Sequence, residues 1–180
     1  MLQDKVAVVT GGTRGIGLAI VEKFLENGCK VALFGSRKES VEESLKKLNN
    51  KSVIGFYPNL TDESDIKETF KKIKETFGHI DILVNNAGIS SSTPLMNYTV
   101  EEYDKISDLN IKAAFVTSKN IVPYLEETKG VILNTSSMVS IYGQPSGVMY
   151  PTSKFAINGM TKSLARELAP RGIRVNAVAP

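Results

Sequence analysis

Short apolar runs alternate along the chain with longer stretches of amphipathic spacing. The runs at 5–10, 30–35, 52–57, 80–85, 131–135 and 173–178 are rich in Val, Ile and Leu and lack a polar residue at every second position. A strand covered on one face would alternate, so these runs predict strands buried on both faces of a sheet. Between them, helical spacing is found over 15–27, 38–49, 62–77, 99–127 and 151–169. Asn27-Gly28 and Gly78 stand where a left-handed C-terminal cap favours Asn or Gly, and Asp62 is a candidate N-cap. Pro151 is tolerated in a first helical turn, where its missing N–H has no intrahelical partner. Strand–helix alternation with short connections predicts an α/β fold, a doubly wound parallel sheet of six strands with helices on both faces. No repeat, low-complexity tract or linker divides the chain, so residues 1–180 are expected to form a single domain.

Composition narrows the function classes. An apolar content of 42% with 23% charged residues is that of a soluble globular protein. The net charge of +3, from 22 basic and 19 acidic residues, is too balanced to point to nucleic acid. Lys71, Lys72 and Lys74 are interleaved with Glu68 and Glu75, the pattern of a solvated helix face. Cys29 is the only cysteine, so no intrachain disulfide forms and a reducing compartment fits. It is read as a small buried apolar residue rather than a nucleophile. With a single histidine, His79, no Cys/His cluster points to a metal site. The N-terminus runs directly into strand pattern without a signal-peptide layout, and no apolar run approaches the roughly 18 residues of a membrane span. A cytoplasmic location is expected.

Chemistry enters at three places. The first strand runs into Thr10-Gly11-Gly12-Thr13-Arg14-Gly15-Ile16-Gly17 and then into a helix. There, free N–H groups and the positive end of a helix dipole can face a phosphate. The spacing is G-x-x-x-G-x-G rather than the common G-x-G-x-x-G fingerprint. Asn85-Asn86-Ala87-Gly88 follows the fourth strand. Tyr150 and Lys154, four apart at the start of a predicted helix, face the same way. A phenol ionises near pH 10, and lowering that by roughly three units, about 4 kcal/mol, lies within reach of a neighbouring ammonium together with a second nearby positive charge.

In this order and spacing the three motifs resemble those of the short-chain dehydrogenase/reductase family, over essentially all 180 residues. The resemblance implies a Rossmann-type fold and an oxidoreductase that interconverts a carbonyl and a secondary alcohol by hydride transfer. It implies cofactor contacts at Gly11, Thr13, Arg14, Gly15, Ile16, Gly17, Ser36, Arg37, Asn59, Leu60, Asn86, Ala87 and Gly88, together with Tyr150 and Lys154. Asn85–Gly88 would both stabilise the central sheet and line the adenosine side. Asn59 replaces the aspartate that commonly faces adenine. Ser137, thirteen residues before Tyr150, matches the catalytic serine, and Asn110 the catalytic asparagine. Tyr150 would exchange the proton, Ser137 would polarise the oxygen, and Asn110 would anchor a water linking Lys154 to solvent. Ser136 is a rival to Ser137, but its side chain alternates away if the strand continues.

Cofactor choice is read after the second strand, where an acid would hold the adenosine ribose and repel a 2′-phosphate. No acid precedes Glu39; Ser36, Arg37 and Lys38 stand there with Arg14 nearby, favouring NADP(H) over NAD(H). Pro151 and Leu33-Phe34-Gly35 resemble bacterial hydroxysteroid dehydrogenases, while 3-oxoacyl-carrier-protein reductases are an equal substrate reading. Family members pair into homodimers or homotetramers through helices at 99–127 and 151–169, with Phe155, Met160 and Leu164 as candidate contacts. They also continue past the position of Pro180 with a substrate lid and a last strand, so the chain is expected to be C-terminally truncated. The alternative is then a nucleotide-binding fragment without turnover.

Overall fold

The computed structural model describes residues 2–180. Strands β1 (Val6–Thr10), β2 (Lys30–Phe34), β3 (Val53–Phe56), β4 (Ile82–Asn85), β5 (Val131–Thr135) and β6 (Arg174–Val178) form one parallel sheet. Their order is β3-β2-β1-β4-β5-β6, the doubly wound arrangement expected from the alternation. All five residues of the central β1 are buried, which is why it reads as an unbroken apolar run. Val6 and Val8 enter the core on one face, and Ala7 and Val9 enter the core on the other.

Helices α1 (Gly15–Glu26) and α2 (Lys38–Leu48) cover one face, where Val21 and Val41 pack with Val9, Val31 and Leu33. On the other, α3 (Glu63–Phe77), α5 (Ala113–Thr128) and α7 (Met149–Leu168) bring Phe70, Ile121, Leu125 and Leu168 against Val8, Leu83 and Ile132. Two further helices, α4 (Val100–Ser107) and the four-residue α6 (Val139–Tyr142), both pack on α7.

The local signals act as expected. Asp62 caps α3 by accepting from the N–H groups of Ser64 and Asp65 at 2.8 and 3.2 Å, and Gly78 ends it at φ +90°. Gly28 follows α1 at φ +79°. Strand ends move by one or two residues from the predicted runs. The larger differences lie at the helices. The expected helix over 99–127 is interrupted by a π turn at Asp108–Lys112, which sets α5 in a different rotation from α4 and buries Asn110. Helix α7 starts at Met149, two residues early, with Pro151 third in line and still free of any required donor. Neither α6 nor the 3₁₀ turn Leu95–Asn97 has a legible period at that length. Among the described residues, no helix is long and apolar enough to cross a membrane.

Candidate active site

β1 and β4 are neighbours although the chain visits β2 and β3 between them, so a crevice opens beyond their C-terminal ends. The cleft there has a volume of about 870 Å³, in the range of cofactor sites. Its walls include Gly11, Thr13, Arg14, Gly15, Ile16 and Gly17 from the turn after β1, Ser36 after β2, Asn59 and Leu60 after β3, and Asn86, Ala87 and Gly88 after β4. Arg37 stands just beyond these walls, exposed at the N-cap of α2.

The turn is shaped by missing side chains. Gly11 has φ +65° and Gly15 φ +53°. A Cβ on Gly17 would lie 2.0 Å from the Gly11 carbonyl oxygen, so only glycine lets α1 descend this close to β1. Asn86 fastens the turn, its Nδ2 donating to the carbonyls of Thr10 and Gly11, both at 3.2 Å. In return Thr10 Oγ1 accepts the N–H groups of Asn86 and Ala87, both at 3.0 Å. The start of α1 carries no side-chain cap and no acid in its first turn, whereas α3 has both. Free N–H groups, a glycine cradle and Arg14 fit a pyrophosphate.

On the adenosine side, Asn59 Oδ1 is engaged within its own turn, accepting from Thr61 N at 3.1 Å and Thr61 Oγ1 at 2.9 Å. That leaves the amide nitrogen to face a ligand. Tyr57, Ile89, Lys105, Asp108 and Leu109 complete the cleft and were not anticipated. They come from loops, the last turn of α4 and the π turn, where no motif marks them.

Asn110 and Lys154 lie behind Gly88, with Tyr150 beside Lys154. Lys154 is 5% exposed, and its Nζ donates to the carbonyl of Thr135 at 2.8 Å. Burial pushes its pKa below the ordinary lysine value. Its ammonium stands 5.7 Å from the centre of the half-buried Tyr150 ring. A Cβ on Gly88 would sit 3.8 Å from Lys154 Nζ and 3.1 Å from Asn110 Oδ1, so both side chains border the cleft wall.

Asn110 is held from several sides. Its Oδ1 accepts from Ile89 N at 2.9 Å, and its Nδ2 donates to Ile89 O at 2.9 Å and to Ser153 Oγ at 3.0 Å. Ser153 in turn donates to the carbonyl of Tyr150 at 2.7 Å. The two serines differ in burial, although β5 ends at Thr135, so strand alternation does not reach them. Ser136 is buried, donating to Asn158 Oδ1 at 2.7 Å, while Ser137 is half-buried and donates to Pro180 O at 3.3 Å. Below the site, Asn85 accepts from Thr117 Oγ1 at 2.7 Å and donates to Ser118 Oγ and Asn134 Oδ1, both at 2.9 Å. Asn134 continues to Thr161 Oγ1 at 2.9 Å, so a satisfied buried network ties β4 and β5 to α5 and α7.

The short chain dehydrogenase family pattern matches residues 5–180. The 3alpha-hydroxysteroid dehydrogenase of Mediterraneibacter gnavus is 57% identical, over 100% of this chain and 74% of its own length. The 3-oxoacyl-[acyl-carrier-protein] reductase FabG of Thermotoga maritima is 40% identical, over 99% of this chain and 74% of its own. Among solved structures, an NAD+-bound xylitol dehydrogenase superposes with a TM-score of 0.94 at 32% identity, covering 99% of this chain and 70% of that one.

Proposed function

The chain belongs to the short chain dehydrogenase family and is an NAD(P)-dependent oxidoreductase, and we propose that it interconverts a ketone and a secondary alcohol on a large apolar skeleton of the hydroxysteroid type. The observation that carries this reading is Tyr150 beside the buried Lys154, behind the cleft wall formed by Gly88.

The glycine turn, Asn86 and the open start of α1 would hold the dinucleotide's phosphates, with Leu60 and Asn59 beside adenine. Bound there, the nicotinamide supplies or takes up a hydride. Tyr150 donates a proton to the carbonyl oxygen in reduction and accepts one in oxidation. The positive charge of Lys154 stabilises the negative charge left on the phenolic oxygen, and Thr135 engages only one of its three N–H groups. Ser137 polarises the reacting oxygen. Asn110 holds the Ile89 wall and, through Ser153, the first turn of α7; with its side chain so engaged, a water link to Lys154 would use its backbone.

Arg14 and Ser36 in the cleft wall, with Arg37 next in sequence and no acid before Glu39, support NADP(H) over NAD(H). The steroid-type substrate is supported by the relative at 57% identity and by exposed Met138, Ile141, Tyr142 and Val148 in the segments flanking Ser137 and Tyr150, with exposed Leu95 on the segment that leaves Gly88. Half-exposed Phe115 on α5 and Phe155 on α7 support a homodimer or homotetramer, while Leu164 packs into the core instead.

The test is reduced-cofactor oxidation with a 3-ketosteroid, a 3-oxoacyl thioester and small ketones, using NADPH and NADH. The expected result is steroid turnover with NADPH preferred, and a shift of at least roughly tenfold toward NADH in Arg37→Asp. Turnover of the thioester alone would replace the substrate assignment. NADPH binding without turnover of any ketone would make the chain a nucleotide-binding module.

A further inference from the structure

The segment after β4 leaves the sheet without secondary structure, and two of its carbonyls are satisfied by side chains from a distant loop. Gln144 Nε2 donates to Ser91 O at 2.8 Å, and Ser146 Oγ donates to Ser92 O at 2.6 Å. The same Gln144 amide also reaches the carbonyls of Ser146 and Gly147, the latter at 2.8 Å. Gly147, at φ +83°, passes so close that a Cβ would lie 2.0 Å from Ser91 O. On its other side, Ser91 is held by α4: the Glu102 carboxylate accepts from Ser91 Oγ and from Thr93 Oγ1, the latter at 2.9 Å.

This joint connects to the acid/base helix. The Gly147 carbonyl that receives Gln144 also receives the Tyr150 N–H at 3.3 Å. One amide therefore spans the segment leading into Tyr150 and the segment leaving Gly88, which form two walls of a cavity of about 400 Å³ lined by Leu95, Gln144, Val148 and Phe155. Leu95 and Val148, both exposed, lie just beyond the joint on those two walls.

We propose that Gln144 is a positioning residue for substrate selection: by locking the 143–147 loop to Ser91, it fixes the spacing of the two walls that a bulky ketone must enter. The selection part rests on the steroid-type reading above; the joint itself does not. A neutral carboxamide suits the place because both of its N–H groups meet carbonyl oxygens, whereas a carboxylate of the same size would bring oxygen against oxygen.

The experiment compares wild type with Gln144→Ala and Gln144→Glu by steady-state kinetics and by amide hydrogen exchange. With a 3-ketosteroid, KM is expected to rise roughly fivefold in Gln144→Ala while kcat and the NADPH dissociation constant stay within about twofold. With cyclohexanone, small enough to be indifferent to wall spacing, neither parameter moves beyond about twofold. Gln144→Glu is expected to be worse at neutral pH and to recover as acid protonates the new side chain. Exchange should quicken together at 91–93 and 143–147, with β1 and β4 unaffected. Quickening at 143–147 alone would overturn the joint. A fall in kcat at unchanged KM, or equal losses on both ketones, would overturn the selection role. A wild-type chain that turns over neither ketone refutes the substrate reading, and the exchange result still decides the joint.

Discussion

The nucleotide end and the catalytic end are made from different materials. Around Gly11, Gly15 and Gly17 the working parts are backbone groups, and what matters is where a side chain is missing. Around Tyr150 the working parts are side chains, two of them held by groups far away in sequence: Lys154 by the Thr135 carbonyl, Asn110 by the Ile89 backbone and Ser153 Oγ. The first end is therefore sensitive to added atoms and the second to removed ones. The two also differ in charge. The start of α1 offers uncapped N–H groups toward solvent, whereas Lys154 carries its charge in a buried place.

The largest effect should come from Tyr150→Phe, which deletes one oxygen at the catalytic end. Turnover is expected to fall by about 10²–10⁴ while NADPH affinity is kept, as read by steady-state rates and cofactor fluorescence. Substantial residual turnover would remove Tyr150 from acid/base work.

Gly17→Ala adds one carbon at the nucleotide end, 2.0 Å from the Gly11 oxygen. The turn must shift, at roughly 1–3 kcal/mol, so the NADPH dissociation constant should rise by about 5–150-fold. Gly15→Ala sharpens the point, because no heavy atom lies within 4 Å of a Cβ there. Its effect is confined to the strain of φ +53°, roughly 1–2 kcal/mol. Equal effects of the two substitutions on affinity would mean that the close approach of α1 is not what shapes the cradle.

The smallest effect separates function from stability. Lys154→Met removes a buried cation and should raise Tm by about 2–4 °C, roughly 1 kcal/mol, even as turnover falls. The folded pKa of Lys154 is lowered from 10.5, so its burial penalty is fully present at pH values below the folded pKa, where both states hold the proton. The penalty fades as pH rises toward the unfolded value. The stability gained by the methionine variant should therefore shrink on the alkaline side, and a gain that grows there would contradict the burial account.

What was legible from residues alone follows the same division. The glycine turn could be read because a turn needing positive φ and close packing admits few residue types, and it sits directly after an apolar run. The spacing to Tyr150 singles out Ser137 over Ser136 by resemblance, and Ser137 is the more accessible of the two, but β5 ends at Thr135 and its alternation does not decide between them. The break in the helix at Asp108–Lys112 was not legible, since its apolar period continues smoothly through Ile106 and Leu109. Asn134, Ser153 and Gln144 carry no motif of their own.

The sequence by itself determined six strands, their alternation with helices, the glycine cradle and the Tyr150–Lys154 pair, because each is written in neighbouring residues through period, φ and side-chain volume; it did not mark β3 and β6 as the edges, where burial is partial and β6 is exposed at four of five residues. Tertiary structure alone decided that Asn110 is engaged by Ile89 and Ser153, that Lys154 is buried against Thr135, and that Gln144 joins two loops. Those contacts span 19 to 53 residues of chain. At such separations, hydrogen-bond partners are chosen by which groups the folded sheet brings within reach, and no local pattern records that choice.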